Sequence, residues 1–175
     1  MDSSEFLRFL RTRSSVREYY GQPLEEEDID YILACASTAP SAGNREAWDV
    51  VVVTDEDIRL ELSSAALNQA HVRESPAVFV VCANYVRSIS RYGERGILYA
   101  VQDATIACTY MMLAAHALGL HSCWTGAFEE DEVHEILDLP QHLRPIALLT
   151  VGKGRPPLEP MERMPVEEHL HRETW

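Results

Sequence analysis

The sequence predicts one domain of intermixed helices and buried strands, of the α/β or α+β class. Short β-branched runs such as 50–53 and 77–83 are typical of strands covered on both faces, and helical apolar spacing lies between them. A near-continuous apolar segment, 99–118, leaves almost no polar face when wound as a helix, so we expect it to be buried on nearly all sides. No repeat, low-complexity block or linker divides the 175 residues.

The 99–118 segment is about long enough to cross a bilayer, but its composition favours a core helix. Gln102, Asp103 and His116 interrupt it, and no positively charged loop follows. Gly119 is a natural C-terminal stop, because glycine takes the left-handed conformation at little cost. A helix that is apolar all round in a chain of this size predicts other layers, or a second subunit, around it. We therefore expect a homodimer.

Turn residues and capping signals separate the other predicted elements. In order these are a helix over 6–10, a helix from 25 to 36, a strand over 50–53, a helix capped by Thr54 and Asp57, a strand over 77–83, the central helix, a strand over 120–124, a helix from 129 to 137 and a strand over 146–151. Residues 84–96 are interpreted as a mobile connection or a short helix. Residues 159–175 are predicted to form an extended C-terminal arm that lies on the partner subunit.

The composition excludes several classes of function. A net charge of −13 disfavours nucleic acid and anionic membranes as partners. Lys153 is the single lysine, which nearly excludes lysine Schiff-base chemistry. The four cysteines lie apart inside apolar runs and are expected to be reduced thiols. Acidic residues occupy the N-terminus where an export signal needs positive charge, so we expect a cytoplasmic protein.

A cluster of positive charge follows the first predicted helix. Arg11, Arg13 and Arg17 surround Ser14 and Ser15, and guanidinium and hydroxyl donors in one short stretch are suited to binding an anion. On charge pattern alone, a solvated basic surface explains the cluster as well.

The remaining motifs give no catalytic side-chain machinery. Gly152-Lys153-Gly154 is followed by prolines instead of the helix that a phosphate loop requires. His121 and Cys123 have no further ligands at a recognised spacing, so no metal is expected. No serine stands in a nucleophile elbow. A cofactor that supplies its own chemistry fits this pattern best.

Several separated stretches together resemble the FMN-dependent nitroreductase family in order and spacing. They are Arg13-Ser14-Ser15-Val16-Arg17, Ala39 to Asn44 with Trp48, Gln102-Asp103, Leu118-Gly119-Leu120, Cys123 to Gly126, and Val151-Gly152. The resemblance spans nearly the whole chain. It implies an α+β fold with a mainly antiparallel central sheet flanked by helices. It also implies a long central helix at a homodimer interface, with an FMN site between the subunits.

The resemblance also implies roles for particular residues. Arg13, Ser14, Ser15 and Arg17 match the motif that binds the FMN phosphate and ribityl oxygens. Pro40, Ser41 and Ala42, followed by Asn44, match the loop that reaches the flavin from the other subunit. Asn68 matches a position that bonds to the polar edge of the ring, Thr125 and Gly126 match the segment over its face near N5, and Arg163 matches a C-terminal phosphate arginine.

The sequence departs from the family pattern at three places. Met161 stands where many members have a second basic residue, His71 stands at another position that is usually basic, and Glu46-Ala47 replaces a common Gln-Pro. The chain is also short for the family, so residues 84–95 are expected to supply at most a small lid.

The activity implied by the resemblance is that of an FMN-dependent NAD(P)H oxidoreductase. Hydride from NADH or NADPH would reach flavin N5, and electrons would then pass by a ping-pong mechanism to nitroaromatics, quinones or related small acceptors. A flavin-dependent dehydrogenase or dehalogenase on the same fold is an alternative. So is a flavin-binding protein without turnover.

Overall fold

The sheet at the centre of the fold has four strands, all antiparallel, in the order β1-β2-β4-β3. The computed structural model describes residues 2–158 and 161–175, so the first two residues of the predicted arm lie outside the described residues. The strands are β1 (Trp48–Val53), β2 (Ala77–Asn84), β3 (His121–Thr125) and β4 (Leu143–Gly152). The helices are α1 (Ser3–Thr12), α2 (Glu26–Ala36), α3 (Glu56–Ala65), α4 (Ala70–Glu74), α5 (Tyr85–Tyr92), α6 (Arg95–Ala117) and α7 (Glu130–Ile136). The antiparallel α+β fold is confirmed.

Helices cover both faces of the sheet, and β2 is therefore buried at every position. Phe79 and Val81 face the core shared with α2 and α6, while Val78 and Val80 face the core shared with α3, α4 and α7. Alternate residues of a strand point to opposite faces, so a continuous apolar run is buried on both sides. The edge strand β1 is also covered on both faces, since Val50 and Val52 pack against the first core and Val51 and Val53 against the second. Full burial was wrong for β1, because five of its six residues stay partly exposed.

The central helix α6 begins earlier than expected, at Arg95. It is long and apolar enough to cross a membrane, and in the structure it packs against α2, α5 and the sheet. A single chain covers only one side of it, so the expectation of burial on nearly all sides was wrong for the isolated chain. The opposite face is exposed at Leu98, Gln102, Thr105 and Thr109, which are spaced by three or four residues and so form one stripe.

Two local features differ from the sequence prediction, and a third, the short helix within residues 84–96, confirms one of its two interpretations. Asp55, not Thr54, caps α3, because its carboxylate accepts the Ile58 backbone N–H at 3.0 Å. The five-residue helix α4 was not predicted. Residues 85–92 form α5, capped by the Asn84 side chain.

Candidate functional site

The end of α1 is fixed on the central helix by His116. Its Nε2 lies 3.0 Å from Thr12 Oγ1 and 3.1 Å from the Phe9 carbonyl oxygen, and its ring packs on Phe9 at 4.8 Å. Burial lowers the pKa of His116 below its ordinary value, which favours the neutral ring. Arg13, the next residue after α1, therefore leaves the helix at a fixed point.

The segment after Arg13 is extended and lies along the free edge of β3. Val16 N–H donates to the Ser122 carbonyl at 3.0 Å, and Ser15 pairs with Ser122. Val16 is buried and anchors the segment in the core. Because side chains two apart in an extended chain point to the same side, Arg13, Ser15 and Arg17 share one side of the segment, while Ser14 points to the other.

Arg13 carries a buried nitrogen without a partner. Its Nη1 forms no hydrogen bond within residues 2–158 and 161–175. A buried cationic donor without an acceptor is costly, and such a group is expected where an anion binds. Arg17 and Ser15 line a neighbouring cavity of about 400 Å³. This donor set fits a phosphate group.

His71 and Thr125 form a buried contact beside these arginines. His71 Nε2 lies 2.8 Å from Thr125 Oγ1, and both residues are buried. Burial lowers the pKa of His71, and the charge of Arg17 lowers it further, so His71 is neutral at pH 7.

The loop before α4 carries Asn68 to the same part of the molecule. Asn68 is exposed and has a left-handed backbone, with φ of 59°. The adjacent Gln69 side chain donates to the Ala127 carbonyl at 3.0 Å. This bond ties the loop to the chain directly after Thr125 and Gly126. Asn68, Thr125 and Gly126 therefore lie close together.

Pro40, Ser41 and Ala42 line a different cavity, of about 440 Å³, against α6. The buried carboxylate of Asp103 accepts the Ala42 N–H at 2.9 Å and the Ala47 N–H at 3.2 Å. Asn44 follows in an exposed turn with φ of 54°. Within one chain, this loop and the Arg13–Arg17 segment thus line two different cavities.

The predicted arm does not complete either cavity in the single chain. Arg163 and Met161 are exposed, and neither lines the cavity of Ser15 and Arg17. Arg155, which sequence reasoning did not single out, does line it.

The sequence profile described as the nitroreductase family matches residues 10–74 and 62–153, which together make up most of the chain. The chain belongs to the nitroreductase family. An NADH dehydrogenase of Thermus thermophilus is 31% identical, over 89% of this chain and 89% of the relative. An FMN reductase (NADPH) of Bacillus subtilis is 29% identical, over 92% of this chain and 70% of the relative. The solved structure of NfrA1 from B. megaterium superimposes with a TM-score of 0.92 at 28% identity, covering 98% of this chain and 75% of that one.

The nitroreductase-family site of this chain is suited to holding a cofactor more than to side-chain catalysis. Burial raises the pKa of the Cys123 thiol, so it is protonated and a poor nucleophile. His71 is neutral and its Nε2 faces Thr125. The unpartnered Arg13 nitrogen, together with Ser15 and Arg17, fits the phosphate of FMN.

Sequence reasoning missed the residues that position this nitroreductase-family site. Asp103 was quoted only as part of a motif, although a lone carboxylate inside an apolar helix signals a buried hydrogen-bond acceptor. His71 was noted only as a departure from a basic position. Its contact with Thr125 joins residues 54 apart in the chain, and nothing local in the sequence indicates it.

Proposed function

We propose that this chain is an FMN-dependent NAD(P)H oxidoreductase that reduces nitroaromatic, quinone or related small acceptors as a cytoplasmic homodimer. The observation that carries the proposal is the buried, unpartnered Arg13 nitrogen beside Ser15 and Arg17 in a member of the nitroreductase family. Relatives named FMN reductase and NADH dehydrogenase support the same class of redox reaction.

In this proposal the described residues bind and orient the flavin. Arg13, Ser15 and Arg17 hold the phosphate and ribityl oxygens, since guanidinium forks match phosphate geometry. Ser14, which the resemblance assigns to the same role, points to the other side of the segment. Asn68, Thr125 and Gly126 lie at the ring, where the neutral His71 keeps Thr125 in place. FMN, when bound, supplies the hydride acceptor and donor at its N5 and passes electrons from NADH or NADPH to the second substrate in turn.

The cavity of Ser15 and Arg17 and the cavity of the Pro40–Ala42 loop are the proposed half-sites of a dimer. In this dimer each flavin lies between the subunits. The exposed stripe on α6, defined by Leu98, Gln102, Thr105 and Thr109, adjoins the cavity of the Pro40–Ala42 loop. A second copy packed on this stripe would cover it and bring its own loop to the other subunit's Arg13 segment. The described arm also exposes apolar side chains, with Met164 at 62% and Trp175 at 99%, which a partner would bury. We propose that the chain is a single domain with residues 159–175 as its C-terminal arm. From this arm, Arg163 reaches the phosphate.

The short helix α5 is proposed as a small lid over the substrate cavity. Its Tyr92 ring meets the Tyr99 ring edge-on at 5.0 Å, and Tyr99 lines the cavity of the Pro40–Ala42 loop. Arg95 Nε donates to the Tyr99 hydroxyl at 2.7 Å. Substrates entering the cavity therefore pass a rim of aromatic and cationic groups.

The test is the anaerobic visible spectrum of the purified protein loaded with FMN, before and after NADH or NADPH is added. We expect a bound-flavin band that bleaches with a reduced nicotinamide and returns when a quinone or nitroaromatic is supplied. A band that neither nicotinamide bleaches would favour a flavin-binding protein without turnover. Failure to retain FMN would contradict the proposal.

A further inference from the structure

The cavity beside the Arg13–Arg17 segment has a second wall that comes from the chain after β4. Arg155, Pro156, Pro157 and Leu158 line it together with Ser15 and Arg17. The arginine in this wall is 140 residues from Ser15 in the sequence, and no motif of the resemblance includes it.

The backbone holds Arg155 firmly against the segment. Its N–H donates to the Glu18 carbonyl at 2.9 Å, and Tyr20 N–H donates to the Lys153 carbonyl at 2.9 Å. Gly154 makes this close pairing possible, since a Cβ at that position would collide with the Glu18 carbonyl oxygen. Arg155 is thus fixed beside Arg17 by main-chain bonds, while its guanidinium stays exposed.

The charges around the cavity make Arg155 decisive. Glu18 also lines the cavity, and its carboxylate offsets the single charge of Arg17. Arg155 makes the cavity net positive in a chain whose net charge is −13. A phosphate monoester carries between one and two negative charges at pH 7, so an added cation in this cavity favours its binding.

We propose that Arg155 is a phosphate-binding residue of this chain, which binds the phosphate of FMN together with Arg13, Ser15 and Arg17. The inference rests on the proposed function. The main-chain bonds fix the point from which the Arg155 side chain starts, and hydrogen bonds to charged groups are the stronger ones. The isoalloxazine ring and its ribityl chain are not contacted by Arg155 in this proposal.

The experiment compares FMN with riboflavin, which lacks the phosphate, by quenching of flavin fluorescence on titration with the apoprotein. We expect Arg155→Gln to weaken FMN binding about tenfold and to leave riboflavin binding unchanged, because only the charged group is lost. Arg155→Lys keeps the charge without the planar fork, so we expect it to recover part of the loss. The exposed α1 variant Arg8→Gln is the matched control and should bind FMN as the parent does.

Salt gives a second readout that a purely structural role would not change. The Kd of the parent for FMN should rise more steeply between 50 and 500 mM salt than the Kd of Arg155→Gln. The reason is that the variant has one ion pair fewer with the phosphate for salt to screen. The stability of the apoprotein to urea should be the same for both.

Each other outcome contradicts the proposal in a distinct way. Unchanged FMN affinity in Arg155→Gln would overturn it, and equal losses for FMN and riboflavin would assign Arg155 to the loop structure instead. A raised KM for NADPH but not NADH, with FMN affinity unchanged, would assign the cavity to the dinucleotide's 2′-phosphate. If the parent itself bound no FMN, the proposed function would fail and this inference with it.

Discussion

The carboxylate of Asp103 accepts the backbone N–H of Ala42 at 2.9 Å and thereby joins the middle of the central helix to a loop 61 residues earlier in the chain. The other oxygen accepts the Ala47 N–H at 3.2 Å. One buried side chain thus fixes both ends of the turn that follows Pro40 and Ser41. The shape of the second half-site depends on this single residue.

Asp103→Ala is expected to lower the free energy of unfolding by about 2–4 kcal/mol, since two backbone donors lose their acceptor. Asp103→Asn is the matched variant, because its amide oxygen still accepts one bond while its NH2 faces the other donor. Its free energy of unfolding should lie between that of Asp103→Ala and that of the parent. Urea unfolding of the three proteins measures this order. Equal midpoints for alanine and parent would show that the carboxylate does not hold the loop.

Arg13→Met is expected to abolish FMN retention without destabilising the apoprotein. Methionine has a similar length and no buried donor, so the unpartnered Nη1 and its cost of about 1–3 kcal/mol are removed. Flavin content after gel filtration and thermal unfolding of the apoprotein are the two measurements. Arg8→Met on the exposed side of α1 is the control. Retained flavin in Arg13→Met would remove Arg13 from the phosphate site.

The stability of the protein should fall as the pH drops below the ordinary histidine value of 6.5. Burial lowers the pKa of His71 in the folded state, so over that range the unfolded chain binds more protons. The free energy of unfolding therefore rises with pH, and the contribution of His71 to it is lost as the pH falls below 6.5. His116 and His121, whose pKa values burial also lowers, act in the same direction.

His71→Gln should make this pH dependence shallower, because one of the three groups is gone. Urea unfolding between pH 5 and 7.5 measures the slope for the parent, for His71→Gln and for the exposed His142→Gln as the control. A slope that is the same in all three would show that His71 does not titrate with folding.

Thr109→Arg is expected to convert the proposed homodimer into monomers. Thr109 lies on the exposed stripe of α6, where an arginine from each subunit would bring like charges into a buried interface. Sedimentation equilibrium gives the mass directly. Ser64→Arg, on an exposed position of α3, is the matched control and should leave the mass unchanged. A dimeric Thr109→Arg would place the interface elsewhere.

The elements that were predicted well are those whose signals are local. The helix α2 begins in the acidic stretch 25–28 and repeats apolar residues at helical spacing, and β2 is apolar from Ala77 to Ala83. The start of α6 at Arg95 was missed because residues 93–98 mix polar and apolar types. The helix α4 is too short to show a period.

The candidate site was predicted as separate motifs, and its assembly could not be predicted. Arg13, Ser15, Thr125 and Gly126 were found by resemblance, but which of them meet depends on strand order. Asp103, His71 and Arg155 act through contacts between distant parts of the chain. The cover over the stripe on α6 depends on a second molecule, and one sequence does not say where that molecule sits.

The separation of the Pro40–Ala42 loop from the Arg13–Arg17 segment has a genetic consequence. In the proposed dimer each flavin takes one half-site from each chain, so a defect in one half leaves the other half of that chain usable. Two inactive alleles, one with Arg13 replaced and one with Asp103 replaced, would form mixed dimers in which one of the two sites has no altered half. Co-expressed alleles of these two kinds should therefore complement one another, whereas two alleles damaged in the same half should not.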